Sequence, residues 1–240
     1  MVLKILMLIL LIVGVIGLIT NPRNEGGSIF VGAIALSAPY IAAWITKQYF
    51  APKLDIEYKH ERPYFRLTRD GKDRPLYYSS FCVKNEGRSQ AKSCEAVLEE
   101  LWLPNARGKP KKDENFLPVN LTWAMPYQRP GVGTVKLIFE NINQKRKKYC
   151  NIGHIPLKDN KFFLDIYPKL KAQQSCILPG TAKIKIGIYA DNATKIHRYF
   201  IIKWSGNWKD DEKDMQDEIN ISVQREERLN KEVKKNGGHS

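Results

Sequence analysis

The chain has 240 residues, of which 43% are hydrophobic, and its 39 Lys and Arg residues against 25 Asp and Glu residues give it a formal net charge of +14. Two apolar runs at its start take up about 46 residues, so roughly 190 remain, enough for one domain with its own core and a charged tail. The four cysteines, at positions 82, 94, 150 and 176, exclude a zinc motif, because such a motif needs ligand pairs only about two to four residues apart.

The two uncharged apolar runs, Ile5–Thr20 and Gly26–Thr46, are separated by a short polar linker. A helix rises about 1.5 Å per residue and a bilayer core is about 30 Å thick, so roughly 20 residues cross it. Because lipid offers no partner for an unpaired backbone group, each run is predicted to be a transmembrane helix. The sequence therefore predicts a transmembrane helical hairpin in residues 1–50, with helices over about residues 3–20 and 27–47.

A cleavable signal peptide is the alternative interpretation of the first run, because Lys4 precedes an apolar stretch there. The stretch is long for a signal peptide, and the segment Ile19-Thr20-Asn21-Pro22 lacks the pattern of small residues that signal peptidase requires. We therefore expect the first run to act as an anchor.

The charges beside the two runs predict the orientation of the hairpin. Lys4 and the amino terminus precede the first run, and Arg23 lies in the linker. A larger basic group follows the second run, and it consists of Lys47, Lys53, Lys59, Arg62 and Arg66. Because basic flanks stay in the cytoplasm, both ends of the hairpin are predicted to lie there. We therefore expect an integral protein of the plasma (cell inner) membrane, with a cytoplasmic soluble domain and reduced cysteines.

Apolar and polar residues alternate from Leu54 onward, which is the period of a β-strand. The clearest case is Lys183–Ile188, where isoleucines and lysines occupy opposite faces. Turn sequences such as Asp70-Gly71 and Pro179-Gly180 separate the runs, so the pattern predicts an all-β sandwich over residues 51–224. Further strand patterns lie at Tyr64–Leu67, Leu76–Val83, Cys94–Leu103, Val119–Trp123, Thr134–Glu140, Lys161–Tyr167, Ala182–Tyr189 and His197–Trp204.

Residues 81–98 resemble a known family. An apolar strand there ends in Val83-Lys-Asn85-Glu-Gly87, a turn of small residues with Ala91 follows, and a second strand begins. This arrangement resembles the strand-turn-strand of immunoglobulin-like adhesion modules related to the CARDB group. The resemblance implies an immunoglobulin-like β-sandwich that binds or scaffolds rather than catalyses. If the two strands formed a hairpin, Cys82 and Cys94 would face each other.

The last part of the chain is predicted to contain one short helix and one more strand. Acidic residues suit the first turn of a helix, so the acidic group at positions 210–212 predicts a helix over about Asp210–Asp217. Alternation in Ile219–Val223 predicts a final strand. Residues 225–240 are highly charged and are predicted to form a frayed or disordered tail.

Two basic clusters are the most suggestive polar features of the sequence. Either cluster can bind phosphates of lipid or nucleic acid, and the plain alternative is that both are solvated loops between strands. The candidate binding residues are Arg107, Lys109, Lys111 and Lys112 in one cluster, and Lys145, Arg146, Lys147 and Lys148 in the other.

No residue pattern in the sequence indicates catalysis. The histidines at positions 60, 154, 197 and 239 have no spacing with Cys, Ser or acidic residues that suggests a site. Gly131-Val-Gly133 is a lone pair of glycines in a turn bounded by proline, without the Lys-Ser/Thr that a phosphate loop carries. We therefore predict a protein that is not an enzyme and has no catalytic residues, metal or cofactor.

These patterns favour a membrane-anchored, non-enzymatic binding or scaffolding protein that presents a basic β-sandwich at the cytoplasmic face. Its expected partners are the membrane itself and either anionic lipid headgroups or an acidic protein. Two alternatives stay open. One is a membrane-tethered nucleic-acid binder, for which aromatic residues interleaved with the basic ones are expected. The other is an outward-facing adhesion or envelope module.

Overall fold

The computed structural model describes residues 12, 38–40, 42–44, 49–70, 72–106, 108–124, 139–169 and 174–224. The contacts divide the chain into two compact units, Met1–Ala51 and Pro52–Ser240.

In the first unit the described residues before Phe50 are helical. Nearly all of the predicted spans, over about residues 3–20 and 27–47, lies outside the described residues. Within the described part, no helix has both the length and the apolar character needed to cross a bilayer.

The second unit contains fourteen β-strands and one helix in its described part. The bounds are β1 Leu54–Glu57, β2 Phe65–Arg69, β3 Pro75–Asn85, β4 Ala91–Pro104, β5 Pro110–Lys112, β6 Val119–Leu121, β7 Phe139–Ile142, β8 Lys147–Pro156, β9 Phe162–Leu164, β10 Ile166–Tyr167, β11 Cys176–Ile177, β12 Gly180–Tyr189, β13 Ile196–Trp204, α1 Glu212–Glu218 and β14 Ile219–Gln224.

The strands form two antiparallel sheets. The first sheet, sheet A, has the order β1-β3-β8-β9-β11, and β2 also pairs with β3. The second sheet, sheet B, has the order β10-β6-β4-β12-β13-β14, and β5 and β7 also pair with β4. Successive strands β3 and β4 lie in different sheets, so the chain crosses between the sheets at the turn that joins them.

One hydrophobic core joins the two sheets. Alternate residues of each strand point inward, because side chains of an extended chain alternate between its two faces. In β12 this places Ile184, Ile186 and Ile188 in the core, as the Lys/Ile alternation predicts. Across the core, the rings of Phe81 in sheet A and Phe200 in sheet B lie 5.4 Å apart between centroids. The prediction of a mainly β unit with a short helix near its end is therefore confirmed.

Most strand patterns correspond to strands, with instructive differences. The pattern Lys161–Tyr167 divides into β9 and β10, because Asp165 lies where the chain passes from sheet A to sheet B. Only the end of Thr134–Glu140 lies within the described residues, and it falls in β7. Strands β5, β8 and β11 have no counterpart among the predicted strand patterns.

The short helix begins two residues later than predicted, at Glu212. Asp211 is its N-cap, and the Asp211 carboxylate accepts hydrogen bonds from the backbone N–H groups of Lys213 and Asp214. Capping of this kind satisfies N–H groups that have no partner in the first turn.

Cys82 and Cys94 do not face each other across a hairpin. Cys82 lies in β3 of sheet A and Cys94 in β4 of sheet B, and the structure has all four thiols free. The hairpin hypothesis was wrong because the turn after Asn85 changes sheets instead of folding β4 back onto β3.

Candidate functional site

Asn85 organises one end of the sandwich. Its side-chain Oδ1 accepts hydrogen bonds from the backbone N–H groups of Lys53, at 3.2 Å, and Gly87, at 3.0 Å. Its Nδ2 donates to the carbonyl oxygens of Ser89, at 2.7 Å, and Ile142, at 2.9 Å. The residue is almost fully buried, and all four hydrogen-bonding positions of its amide are used. One side chain thus connects the start of β1, the turn between β3 and β4, and the end of β7.

The chain enters the second unit at this same end. Lys53 precedes β1, whose first residue Leu54 pairs with Asn85. The Lys53 carbonyl accepts a 2.7 Å hydrogen bond from the Glu86 N–H. The start of the second unit is therefore bonded directly to the turn between β3 and β4.

The turn between β7 and β8 packs beside the turn between β3 and β4. The backbone N–H of Asn85 donates to the Arg146 carbonyl at 3.0 Å, and the Lys145 N–H donates to the Asn85 carbonyl at 2.8 Å. The Lys145 side chain donates from Nζ to the Glu86 carbonyl at 2.8 Å. These bonds hold Lys145 and Arg146 next to Lys53.

A third turn, between β12 and β13, reaches the same end. The Asp191 N–H donates to the Lys92 carbonyl at 3.1 Å, and the Lys92 N–H donates to Oδ1 of Asn192 at 3.0 Å. The Asn192 Nδ2 donates to the Gln90 carbonyl at 2.9 Å. The beginning of β4 is thereby bonded to this turn.

We call this region, formed by the three turns and the start of β1, the basic end. Its exposed acidic residues are Glu86 and Asp191. Among the described residues, none of the basic side chains there takes part in an ion pair. The exposed basic residues of the basic end are Lys53, Arg88, Lys92, Lys145, Arg146, Lys147 and Lys195.

The other predicted cluster lies at the opposite end of the sandwich. Lys111 and Lys112 pair with Leu103 and Trp102 near the end of β4, whereas the basic end lies beyond the first residue of β4. A strand rises about 3.3 Å per residue, so the two clusters are about 35 Å apart along β4. Lys109 lies in the turn before β5, and Arg107 lies outside the described residues. The structure therefore separates the two candidate clusters.

Two of the predicted binding residues already have acidic partners. Lys112 Nζ lies 3.1 Å from a carboxylate oxygen of Glu100, and Lys148 Nζ lies 3.4 Å from one of Glu140. Lys147 and Lys148 also belong to strand β8 rather than to a loop. Lys148 is thus set apart from the basic end, while Lys147 remains exposed at its border.

The outer face of sheet B carries a polar cluster that the sequence interpretation did not find. Glu99 Oε2 lies 2.9 Å from Nδ1 of His197 and 3.7 Å from Nζ of Lys185, and Oε1 accepts a hydrogen bond from the Tyr189 hydroxyl. This hydrogen bond, with a contribution from burial, raises the pKa of Tyr189 to about 12. Gly187 leaves room for the carboxylate, because a Cβ at that position would come within 2.6 Å of Glu99 Oε1. Glu99 therefore serves as a structural carboxylate that connects β4, β12 and β13.

Next to this cluster, a lysine lies between two aromatic rings. Lys183 Nζ is 4.4 Å from the ring centroid of Trp102 and 4.3 Å from that of Tyr199. Burial lowers the pKa of Lys183, and cation–π contacts of this kind stabilise its charged form by about 0.5–2 kcal/mol. Alternation within one strand cannot reveal this cluster, because its members come from three strands.

A second group missed from the sequence connects the two sheets internally. The carboxylate of Asp165 accepts hydrogen bonds from Thr122 Oγ1 at 2.8 Å and Asn151 Nδ2 at 2.9 Å, and Asn151 Oδ1 accepts one from Ser80 at 2.9 Å. Asp165 is buried, so these partners replace the water that a carboxylate requires.

The described residues contain no group of three His, Cys, Asp or Glu side chains placed to hold a metal ion. A comparison with protein-family models finds no match to this chain, and a comparison with curated proteins finds none either.

Proposed function

We propose that this protein is a membrane-anchored, non-enzymatic binding or scaffolding protein whose basic end binds anionic lipid headgroups at the cytoplasmic face of the plasma membrane. The proposal combines the apolar runs of residues 1–50 with the charge of the second unit. An acidic protein surface is the other partner that this charge suits.

The basic end is the observation that carries the proposal. The basic end has seven exposed basic side chains and only two exposed acidic ones, and the basic ones form no ion pair among the described residues. The chain enters the second unit at Lys53, only a few residues after the second apolar run ends at Thr46. The seven residues after Thr46, up to and including Lys53, extend over at most about 25 Å, so Lys53 stays within that distance of the end of the second run. Each Lys or Arg close to an anionic surface adds about 1 kcal/mol of attraction.

We also propose that the second unit is an immunoglobulin-like β-sandwich. The residues that carry the resemblance, Val83, Asn85, Gly87 and Ala91, are all buried where the chain crosses from β3 to β4. Asn85 gives the motif a physical role, because the hydrogen bonds of its side-chain amide hold the turn between β3 and β4 in place. This placement supports a module whose turns at one end form the binding surface.

Hydrogen exchange on the full chain in lipid nanodiscs tests the proposal. We expect slower amide exchange at residues 143–147 in nanodiscs with anionic lipid than in nanodiscs with neutral lipid only. High salt should remove the difference, because the attraction is screened within a Debye length. The double variant R146E/K147E should lose the protection.

The matched control is K109E/K111E, which reverses the same number of charges at the opposite end of the sandwich. It should keep the protection at residues 143–147. Equal protection in neutral and anionic lipid, or equal losses in the two variants, would overturn the assignment of the basic end as the lipid-binding surface.

A membrane-tethered nucleic-acid binder is the second candidate. The positions of Trp102, Lys183 and Tyr199 favour nucleic-acid binding, because aromatic and basic side chains lie together there on the outer face of sheet B. A salt-dependent gel shift of single-stranded RNA by the full chain, lost in W102A, would support this candidate, and the absence of a shift would remove it.

A further inference from the structure

Strand β14 forms an edge of sheet B. It pairs with β13 on one side, and Trp204 opposite Ile219 is the first pair of the ladder. Just before Ile219 along the chain, Glu218 lies opposite Ser205, and the Ser205 N–H donates to the Glu218 carbonyl at 2.9 Å. Ser205 and Glu218 are therefore a hydrogen-bonded pair. In an antiparallel ladder, hydrogen-bonded pairs alternate with pairs that share no hydrogen bond. Residues 220, 222 and 224 therefore bond to β13, and the backbone groups of Ile221 and Val223 point away from it.

These outward groups have no backbone partner in the described part of the chain. Ile219 has its N–H bonded to the Met215 carbonyl as the C-cap of α1, which agrees with the outward direction of the odd-numbered positions. The N–H and carbonyl groups of Ile221 and Val223 pair with no other described strand. The edge thus presents four backbone groups in the spacing that an added strand requires.

The other described edge strands are protected against such pairing, and β14 is not. Charge, proline or shortness protects an edge, because each opposes the pairing of a further strand. Strands β1, β2, β5 and β7 carry charged residues, β5 also begins with proline, and β10 and β11 have two residues each. In contrast, β14 has six residues, Ile-Asn-Ile-Ser-Val-Gln, with no charge, no proline and an unbroken register with β13.

We propose that β14 is the docking site for an extended segment of a partner protein, which adds to sheet B as an antiparallel strand with basic residues at its carboxyl end. The polarity follows from the charge beside the edge. Helix α1 leads directly into β14. Of its exposed residues without an ion pair in the described part of the chain, the two acidic ones, Asp214 and Asp217, outnumber the one basic residue, Lys213. An antiparallel strand brings its carboxyl end to α1, where basic side chains meet these carboxylates.

A second copy of this chain fits the edge less well. The chain carries a net charge of +14, so two copies repel each other. An antiparallel pair of β14 strands would also point the two basic ends in opposite directions, so both could not face one membrane, an argument that rests on the proposed lipid binding. A partner without a large net positive charge, whose basic residues lie only in the flank that meets α1, has neither difficulty.

Binding of synthetic peptides to the full chain in detergent tests the proposal, and it does not depend on lipid. The first probe is a fluorescent peptide with an alternating Thr-Val core and two lysines at its carboxyl end, and the second has the lysines at its amino end. We expect saturable binding of the first peptide, about fivefold tighter than that of the second, with slower amide exchange at positions 221 and 223.

The variant V223P should abolish binding of the first peptide. Proline removes an N–H that points to the free edge, so the ladder with β13 remains intact. V223T changes the side chain at the same position but keeps the N–H, and it should bind normally. D214K/D217K should weaken binding about fivefold, whereas D191K at the basic end should not.

The proposal is overturned if the first peptide does not bind, or if V223P and V223T bind it equally. A concentration-dependent dimer of the full chain that V223P dissociates would also overturn it, because the occupant would then be a second copy. Lipid binding by the basic end is measured separately, so either proposal can fail without the other.

Discussion

Asn85 shows how a single side chain determines the geometry of the basic end. A buried amide has two donor and two acceptor positions, and each is costly when it lacks a partner. In this protein all four have a backbone partner. The turn motif in the sequence therefore reflects a specific hydrogen-bonding requirement.

We expect N85A to lower the free energy of unfolding by about 3 kcal/mol, because several buried backbone groups lose their partner. Urea unfolding followed by tryptophan fluorescence measures this change. The control is N143A, at an exposed position whose side chain accepts one hydrogen bond from Gln90, and it should change stability by less than about 1 kcal/mol. Equal effects of the two variants would contradict the role assigned to Asn85.

The cysteines differ in burial, and therefore in reactivity. Burial raises the pKa of Cys82 and of Cys94 to about 11 and raises that of Cys150 well above its usual value. Cys176 is only half-buried, in the short strand β11. Because the thiolate is the reactive form, the three buried thiols are predicted to be inert at neutral pH.

Brief treatment of the native chain with N-ethylmaleimide should therefore modify Cys176 first, and peptide mapping by mass spectrometry identifies the site. All four cysteines should react at similar rates in guanidinium chloride. Modification of Cys150 in the native chain as fast as that of Cys176 would contradict the burial of Cys150 in the core around β8.

Among the strands, β8 was the most consequential one that the sequence interpretation omitted. It lies in the middle of sheet A, between β3 and β9. Its sequence, Lys-Lys-Tyr-Cys-Asn-Ile-Gly-His-Ile-Pro, mixes polar residues with a glycine and so lacks a clear alternation. Asn151 is accommodated there by its bonds to Ser80 and Asp165, which are distant in sequence. A local pattern cannot contain that information.

Gly153 gives a test of how closely β8 packs against β9. A Cβ at this position would lie 2.2 Å from the backbone oxygen of Phe163, so the backbone of β9 must move in G153A. We expect a loss of about 2–3 kcal/mol in stability and faster amide exchange in β9. The control is G187A, where the nearest atoms belong to the side chains of Glu99 and Tyr189 rather than to the backbone, and a smaller loss is expected. A larger loss in G187A would contradict this comparison.

At the scale of the whole molecule, the membrane anchor and its orientation are the predictions on which the proposed function depends. The runs Ile5–Thr20 and Gly26–Thr46 lie almost entirely outside the described residues, so they rest on the sequence. The basic flanks predict a cytoplasmic second unit, whereas the resemblance to adhesion modules suits an outward-facing one.

A reporter that is active only in the cytoplasm, fused after Ser240, distinguishes these orientations. We expect activity, and recovery of the full chain in the detergent phase after phase partitioning. A matched reporter that is active only outside the cytoplasm should be silent. Activity of the second reporter would favour the adhesion alternative, and recovery in the aqueous phase would contradict the anchor.

Hydrophobic alternation is enough to locate most strands and the mainly β character of the second unit, and the acidic group at positions 210–212 locates the short helix. The reason is physical: a side chain's face on a strand depends only on its neighbours in sequence. The grouping of basic residues is different, because it follows from strand pairing, which joins positions as distant as Lys92 and Asn192. Folding therefore separates two basic clusters that look equivalent in the sequence and places one of them beside Lys53. It also leaves β14 as an unprotected edge. Each outcome depends on contacts between residues that are distant in sequence, which no local pattern records.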